Sequence, residues 1–281
     1  MTDVVTRDVQ AGVYRLRVHT SGSPDAPALV LLHGSGPGVS ALSNWSHLLP
    51  RFAGTYYCVA PDVLGFGDSE HPDPAPVGMA DYTRLRAESV VHLLDALGIE
   101  KAHLVGNSMG GMIALTVALA APERVDRLVL MGSGGAPVPP TPELISMVTF
   151  YDDPSVERMA RLLPCFVHDP ALFGDRLDEI AADRLERALR DDVRRSHLAT
   201  FDPAGAPVRF EPDQLAGVQN DVLVLHGRED RMLPVACGYW LAEHLPNAQL
   251  HVLPHAGHWI QIEQADRFVA QCSLFLGEAT A

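Results

Sequence analysis

The sequence predicts an α/β protein, a mostly parallel sheet flanked by helices and interrupted once by a helical insertion. Short apolar runs recur along the 281 residues, each followed by a Gly/Pro/Asp-rich turn and a longer amphipathic stretch, which is the pattern of βα units. The runs are apolar throughout rather than alternating, as strands covered on both faces require. Between about residues 135 and 213 the rhythm breaks, and only helix-like segments remain.

In chain order, residues 12–19 alternate, with Val13, Arg15 and Arg17 set against Tyr14, Leu16 and Val18, and read as an antiparallel leading strand. Residues 28–32 (ALVLL), 57–60, 103–105, 127–131, 222–225 and 249–253 read as buried strands. Helical periodicity is clearest over 82–97, where Val90, Leu93, Leu94 and Leu97 fall on one face and Gly98 supplies the stop. The insertion opens with Pro137, Pro139, Pro140 and Pro142 and carries helical patterns over 141–150, 155–163 and 177–195. Its apolar residues, Met147, Phe150, Met159, Leu162, Leu163, Phe166 and Phe173, either form a small core of their own or line a pocket.

Composition excludes several functions. A chain 47% hydrophobic and 20% charged is neither disordered nor fibrous, and its length suits one large domain or a core with an insertion. The formal charge of −14 argues against nucleic acid, since no run of Lys and Arg exceeds pairs such as Arg194-Arg195. The N-terminal MTDVVTRDVQ lacks the apolar region of a secretory signal. The apolar stretch 112–121 falls well short of the roughly 20 residues a membrane helix needs. Cys58, Cys165, Cys237 and Cys272 are scattered without metal or redox spacing and read as small buried hydrophobes, so a cytoplasmic setting is expected.

The strongest chemical signal is Gly106-Asn107-Ser108-Met109-Gly110-Gly111, which follows a strand-like segment and precedes a helix-like one. G-x-S-x-G in that context is a nucleophile elbow, in which the serine adopts a strained backbone and its hydroxyl projects from the sheet edge. A serine hydroxyl needs a base within hydrogen-bond reach and a third group to fix the base's tautomer. Asp230 in LHGREDRMLP and His258 in LPHAGHW each lie just after a strand and supply acid and base; Glu229 rivals the acid, and His226 and His255 rival the base. Backbone N–H groups of the loop His33-Gly34-Ser35-Gly36-Pro37-Gly38, Ser35 among them, together with the N–H of Met109, are the candidate oxyanion donors. No phosphate-binding glycine motif and no metal-ligand spacing is present, so neither cofactor nor metal is expected.

HGSGPG, PDVLGFGDS (61–69), GNSMGG, the Asp230 loop and the His258-Trp259 pair together resemble the α/β-hydrolase superfamily over nearly the whole chain. The resemblance implies an eight-stranded, mostly parallel sheet, a core of residues 1–134 and 214–281, and a helical lid over 135–213. More narrowly, HGSGPG with Ser43-Asn44, GNSMGG and His-Trp resembles the meta-cleavage product hydrolases. Those cofactor-free enzymes of aromatic catabolism cleave a carbon–carbon bond in 2-hydroxy-6-oxo-hexa-2,4-dienoates, and they are often dimers or higher homo-oligomers. Carried over residue by residue, the resemblance makes Gly36, Asn44, Asn107, Arg184 and Trp259 substrate-binding positions. The Arg184 guanidinium would grip the anionic dienoate. Leu185 stands where relatives often carry an aromatic, and Arg176, Arg187 and Arg190 are rivals for the clamp. The triad alone equally fits a carboxylesterase or lactonase and, less well, a non-catalytic binding protein on the same scaffold.

Overall fold

Eight strands form one sheet in the computed structural model, which describes residues 3–278. They are β1 (Val5–Ala11), β2 (Tyr14–Ser21), β3 (Ala28–Leu32), β4 (Tyr57–Pro61), β5 (Ala102–Asn107), β6 (Val125–Met131), β7 (Val222–Gly227) and β8 (Ala248–Leu253), in the spatial order β1-β2-β4-β3-β5-β6-β7-β8. β2 is antiparallel to β1 and β4, and the remaining pairs are parallel. The alternating segment thus divides: Gly12 and Val13 make the turn between β1 and β2, and only residues from Tyr14 onward continue as strand. β1 carries no apolar run to announce it, because it is a largely exposed edge strand.

The continuous apolar runs follow from burial on both faces. Ala28, Val30 and Leu32 of β3 join one core layer with Leu104, Leu128, Leu130, Val222 and Val224, while Leu29 and Leu31 join the opposite layer with Val105, Val129, Met131, Leu223 and Leu225. Period-two alternation therefore sorts equally apolar residues onto two faces instead of sorting apolar from polar. β8 departs from the expected buried strand: it is the other sheet edge, and of its residues only Leu253 is fully buried.

Twelve α-helices accompany the strands among the described residues: α1 (Ala41–Trp45), α2 (Leu49–Phe52), α3 (Met79–Ala96), α4 (Met109–Ala120), α5 (Pro142–Val148), α6 (Val156–Leu162), α7 (Leu177–Ala188), α8 (Asp191–Thr200), α9 (Pro212–Ala216), α10 (Ala236–His244), α11 (Ile260–Glu263) and α12 (Ala265–Leu276). Helices α5 to α8 lie between β6 and β7, where no strand intervenes. Thr141 and Ser155 cap α5 and α6 through their hydroxyls, which sets those starts one residue inside the apolar pattern. The single helix expected over 177–195 is two, broken at Leu189-Arg190, where the Arg190 backbone is extended. Met147, Phe150, Met159, Leu162, Leu163 and Phe166 form one cluster that also takes in Met232 and Trp259, so the helical insertion's core is continuous with the loops beneath it.

Candidate active site

Ser108 sits between the end of β5 and the start of α4 with φ 55° and ψ −115°, a conformation costing about 1–3 kcal/mol. It is held there from below, its N–H donating to the Met131 carbonyl at 2.9 Å. Gly110 allows the close approach of α4 to the sheet, because a Cβ there would overlap the Leu32 carbonyl. Met109 is the first residue of α4, and its N–H has no intrahelical acceptor.

Asp230 lies in the loop after β7. Its Oδ1 accepts the N–H groups of Met232 and Leu233, both at 2.9 Å, and its Oδ2 accepts His258 Nδ1–H at 2.7 Å. That bond puts the histidine proton on Nδ1 and leaves Nε2 basic. Burial alone would raise the Asp230 carboxyl, but electrostatic attraction to His258 and hydrogen bonding from His226 and His258 outweigh it and hold the group well below the usual carboxylate range. The rivals face elsewhere. Glu229 Oε2 accepts the Ala256 N–H, the His255 ring lies against His168, and His226 Nε2 donates to the Leu233 carbonyl at 2.9 Å while standing 3.4 Å from Asp230 Oδ2. His226 thus supports the acid, a role its position before a turn glycine did not announce.

The loop after β3 is set by His33, whose Nδ1–H donates to the Gly34 carbonyl at 2.8 Å and whose Nε2 accepts the Val63 N–H at 2.9 Å. Burial pushes this imidazole down to about 4, so it serves as a neutral strut. Ser35, Ser108 and Met109 together wall one end of a cavity of about 460 Å³, which continues between Met112, Val138, Leu144 and Val148.

A second cluster lies against the 36–38 segment. Arg184 is only 6% exposed, its Nε donates to the Pro37 carbonyl at 2.9 Å, and its guanidinium carbon lies 5.6 Å from the Trp259 ring centroid. A Cβ at Gly36 would come within 3.1 Å of Arg184 Nη2, so glycine keeps the loop open to this cation. Burial lowers the guanidinium to about 10, and no carboxylate among the described residues pairs with it. The other arginines are committed: Arg176 to Glu179, Arg190 to Asp68 and Asp192, and Arg187 to the Gly38 carbonyl. Leu185 packs against the apolar cluster of the helical insertion.

Asn44 is buried on α1, its Nδ2 near the Ser40 carbonyl and Ser43 Oγ and its Oδ1 accepting from Gln261 Nε2 at 3.5 Å. Asn107 points into the scaffold. Its Nδ2 donates to the Met131 carbonyl at 3.2 Å and the His258 carbonyl at 3.5 Å, tying the elbow to the histidine loop, and its buried Oδ1 has no partner. Trp259 stacks on Phe166 at 4.5 Å, while the Phe166 carbonyl accepts the N–H groups of His258 and Trp259. Phe166 and Gln261 are thus neighbours of the site that no motif marked.

A family model described as the alpha/beta hydrolase fold matches residues 27–265. The chain belongs to the α/β-hydrolase family. Within it, the chain is 42% identical to the 2-hydroxymuconate semialdehyde hydrolase of Pseudomonas sp. (strain CF600), over 99% of this chain and 95% of that protein. It is 39% identical to a 2-hydroxy-6-oxononadienedioate/2-hydroxy-6-oxononatrienedioate hydrolase of Paraburkholderia phymatum, over 99% and 100%. Among solved structures, the 2-hydroxy-6-oxo-6-phenylhexa-2,4-dienoate hydrolase of Rhodococcus sp. strain RHA1 superposes with a TM-score of 0.95 at 38% identity, covering 99% of this chain and 100% of that one.

Proposed function

We propose that this protein hydrolyses a carbon–carbon bond in a 2-hydroxy-6-oxo-hexa-2,4-dienoate, releasing 2-hydroxypentadienoate and a carboxylic acid. The observation that carries the reading is the Arg184 guanidinium, buried without a carboxylate partner among the described residues beside the Gly36 loop. A buried cation lacking a counter-ion is costly unless a ligand supplies one. The dienoate carboxylate is that ligand, held with help from Gly36, Asn44 and Trp259, while the unpartnered Asn107 Oδ1 accepts the hydrogen of the substrate's 2-hydroxyl. A simple ester hydrolase has no use for it. The C6 substituent then enters the cavity whose walls include Met112, Val138, Leu144 and Val148, with Asp202 and Arg209 also on its lining.

His258 Nε2 first assists transfer of the 2-hydroxyl proton to C5, producing a ketone conjugated to the C3–C4 double bond. Ser108 Oγ then gives its proton to His258 as it bonds to C6, with the Ser35 and Met109 N–H groups holding the oxyanion and Asp230 orienting the base. The C5–C6 bond breaks, its electron pair passes into the dienolate beside Arg184, and His258 returns its proton to the dienolate oxygen to give 2-hydroxypentadienoate, which leaves His258 free to act as base for water. Water releases the acyl group and restores the Ser108 hydroxyl. Residues 135–213 serve as the lid that shapes the acyl side, and the active unit is a cytoplasmic homodimer or higher homo-oligomer.

The test mixes the purified protein with coloured dienoates bearing methyl, isopropyl or phenyl at C6 and follows loss of the chromophore, alongside p-nitrophenyl esters. Turnover of the dienoates well above that of the esters is expected; equal or faster ester turnover would move the assignment to an esterase. Ser108→Ala should lose several orders of magnitude in turnover while still binding dienoate. Light scattering gives the oligomeric state.

A further inference from the structure

Arg86 takes no part in the reaction as drawn above, yet it is among the largest fully buried side chains of the protein. It projects from α3 into the junction of three segments. Nε donates to the Leu64 carbonyl at 3.0 Å, Nη2 to Thr200 Oγ1 at the end of α8 at 2.9 Å, and Nη1 to Met109 Sδ at 3.3 Å. The rings of Tyr82 and Phe66 flank the guanidinium, their centroids 4.0 and 4.8 Å from its central carbon. Every hydrogen-bond partner is neutral, and no carboxylate among the described residues pairs with it. Burial lowers the group to about 9, which leaves it charged at neutral pH.

A thioether is a weak acceptor, and burying a charge on such partners is unfavourable unless the charge has a use there. Two of the three partners point to that use. Met109 follows the nucleophile and carries an oxyanion N–H, Thr200 belongs to the helical insertion, and both residues line the cavity at Ser108. Thr200 Oγ1 spends its proton on the Ser196 carbonyl at 2.7 Å, so its lone pairs are free to receive the guanidinium.

We propose that Arg86 is a positioning residue for the chemistry at Ser108, locking Met109 to the end of α8 and setting an uncancelled positive charge one side chain behind the oxyanion site. The proposal rests on the reading of Ser108 and Met109 given above. A fixed, preorganised charge favours the negative charge that develops in the transition state more than it favours the bound substrate. The consequence is an effect on kcat with little on KM.

The test compares Arg86→Met, which keeps length but not charge, with Arg86→Lys, which keeps charge but not the planar fork. Both are assayed on the C6-phenyl dienoate and on a p-nitrophenyl ester. Arg86→Met should lower kcat about tenfold on both substrates with KM within about twofold, and Arg86→Lys should recover most of the loss. Dienoate affinity should be the same in Ser108→Ala with and without Arg86→Met. An unchanged kcat, a parallel change in kcat and KM, or no recovery by lysine overturns the proposal. Turnover surviving in Ser108→Ala alone instead sinks the nucleophile reading, and a failure confined to the dienoate sinks only the carbon–carbon assignment. Should Arg86→Met not fold, Arg86→Gln replaces it: kcat below that of the lysine variant at similar KM supports the proposal, and equal kcat refutes it.

Discussion

A carboxylate that accepts two backbone N–H bonds and an imidazole N–H, as Asp230 does, has nearly all its acceptor sites spoken for. Asp230→Asn would set an amide NH2 against His258 Nδ1–H or force the ring into its other tautomer, leaving Nε2 protonated and useless as a base. Turnover should fall by about three to four orders of magnitude with folding intact, since the shape is preserved; steady-state kinetics and a thermal melt on one preparation check both halves. Arg184 differs in kind, because it lies beside the Gly36 loop and its Nε donates to the Pro37 carbonyl rather than to Ser108, Asp230 or His258. Arg184→Gln should raise the dienoate KM roughly tenfold to a hundredfold and leave the KM for a neutral ester within about twofold. An equal rise for both substrates would make Arg184 a structural residue.

At the scale of elements, the 36–38 loop and α7 are fitted to each other at Gly38. That residue has φ 68°, and a Cβ on it would overlap the Arg184 carbonyl oxygen. Gly38→Ala should therefore lift α7 off the loop, costing roughly 2–4 kcal/mol of stability and raising the dienoate KM through Arg184; calorimetry and kinetics on the variant read the two effects. This fit marks the limit of what the chain reveals before it folds. The ALVLL run, the elbow and the Asp230 and His258 loops were legible because each depends on local pattern: apolar continuity, glycines around a strained serine, and loops directly after strands. The rotational phase of α7 was not legible, since a helix with arginines at 184 and 187 and others just outside it becomes one-sided only when Ala181, Arg184 and Ala188 turn inward against a packed neighbour. The break at Leu189-Arg190 escaped for the same reason, there being no proline or glycine to signal it, only the packing of two helices along different lines. Edge strands β1 and β8 carry weak patterns because only one side or part of each is covered. Arg86 gave no sign at all, as an arginine on an amphipathic helix reads as solvated until its neighbours are known.

Over the whole molecule, a formal charge of −14 describes the surface more than the interior, where Arg86 and Arg184 lie buried without carboxylate partners among the described residues. The interior also holds histidines that stay neutral. Burial pushes His33 and His197 down to about 4, and it lowers His19, His71 and His103 as well. In the unfolded chain each of these takes up a proton near 6.5, and in the folded protein not until lower pH. Between about 6.5 and about 4 the unfolded state therefore binds more protons, and linkage makes stability fall as pH falls through that window. Above 6.5 the contribution is fully present. Asp230 adds to the same trend further down: its carboxyl lies below the usual range, so it begins to count only once pH drops through the ordinary carboxylate pKa of about 4. The melting temperature should accordingly be flat from about pH 7 to 8 and fall steadily from about 6.5 to 4, as calorimetry at fixed ionic strength would show. His197→Gln, which keeps a donor toward the Val148 carbonyl that His197 Nε2 meets at 3.1 Å, should make that fall shallower. A melting temperature that stays level down to pH 4.5 would mean that these imidazoles are charged where they lie, and with that the neutral His33 strut beneath the loop after β3 would have to be abandoned.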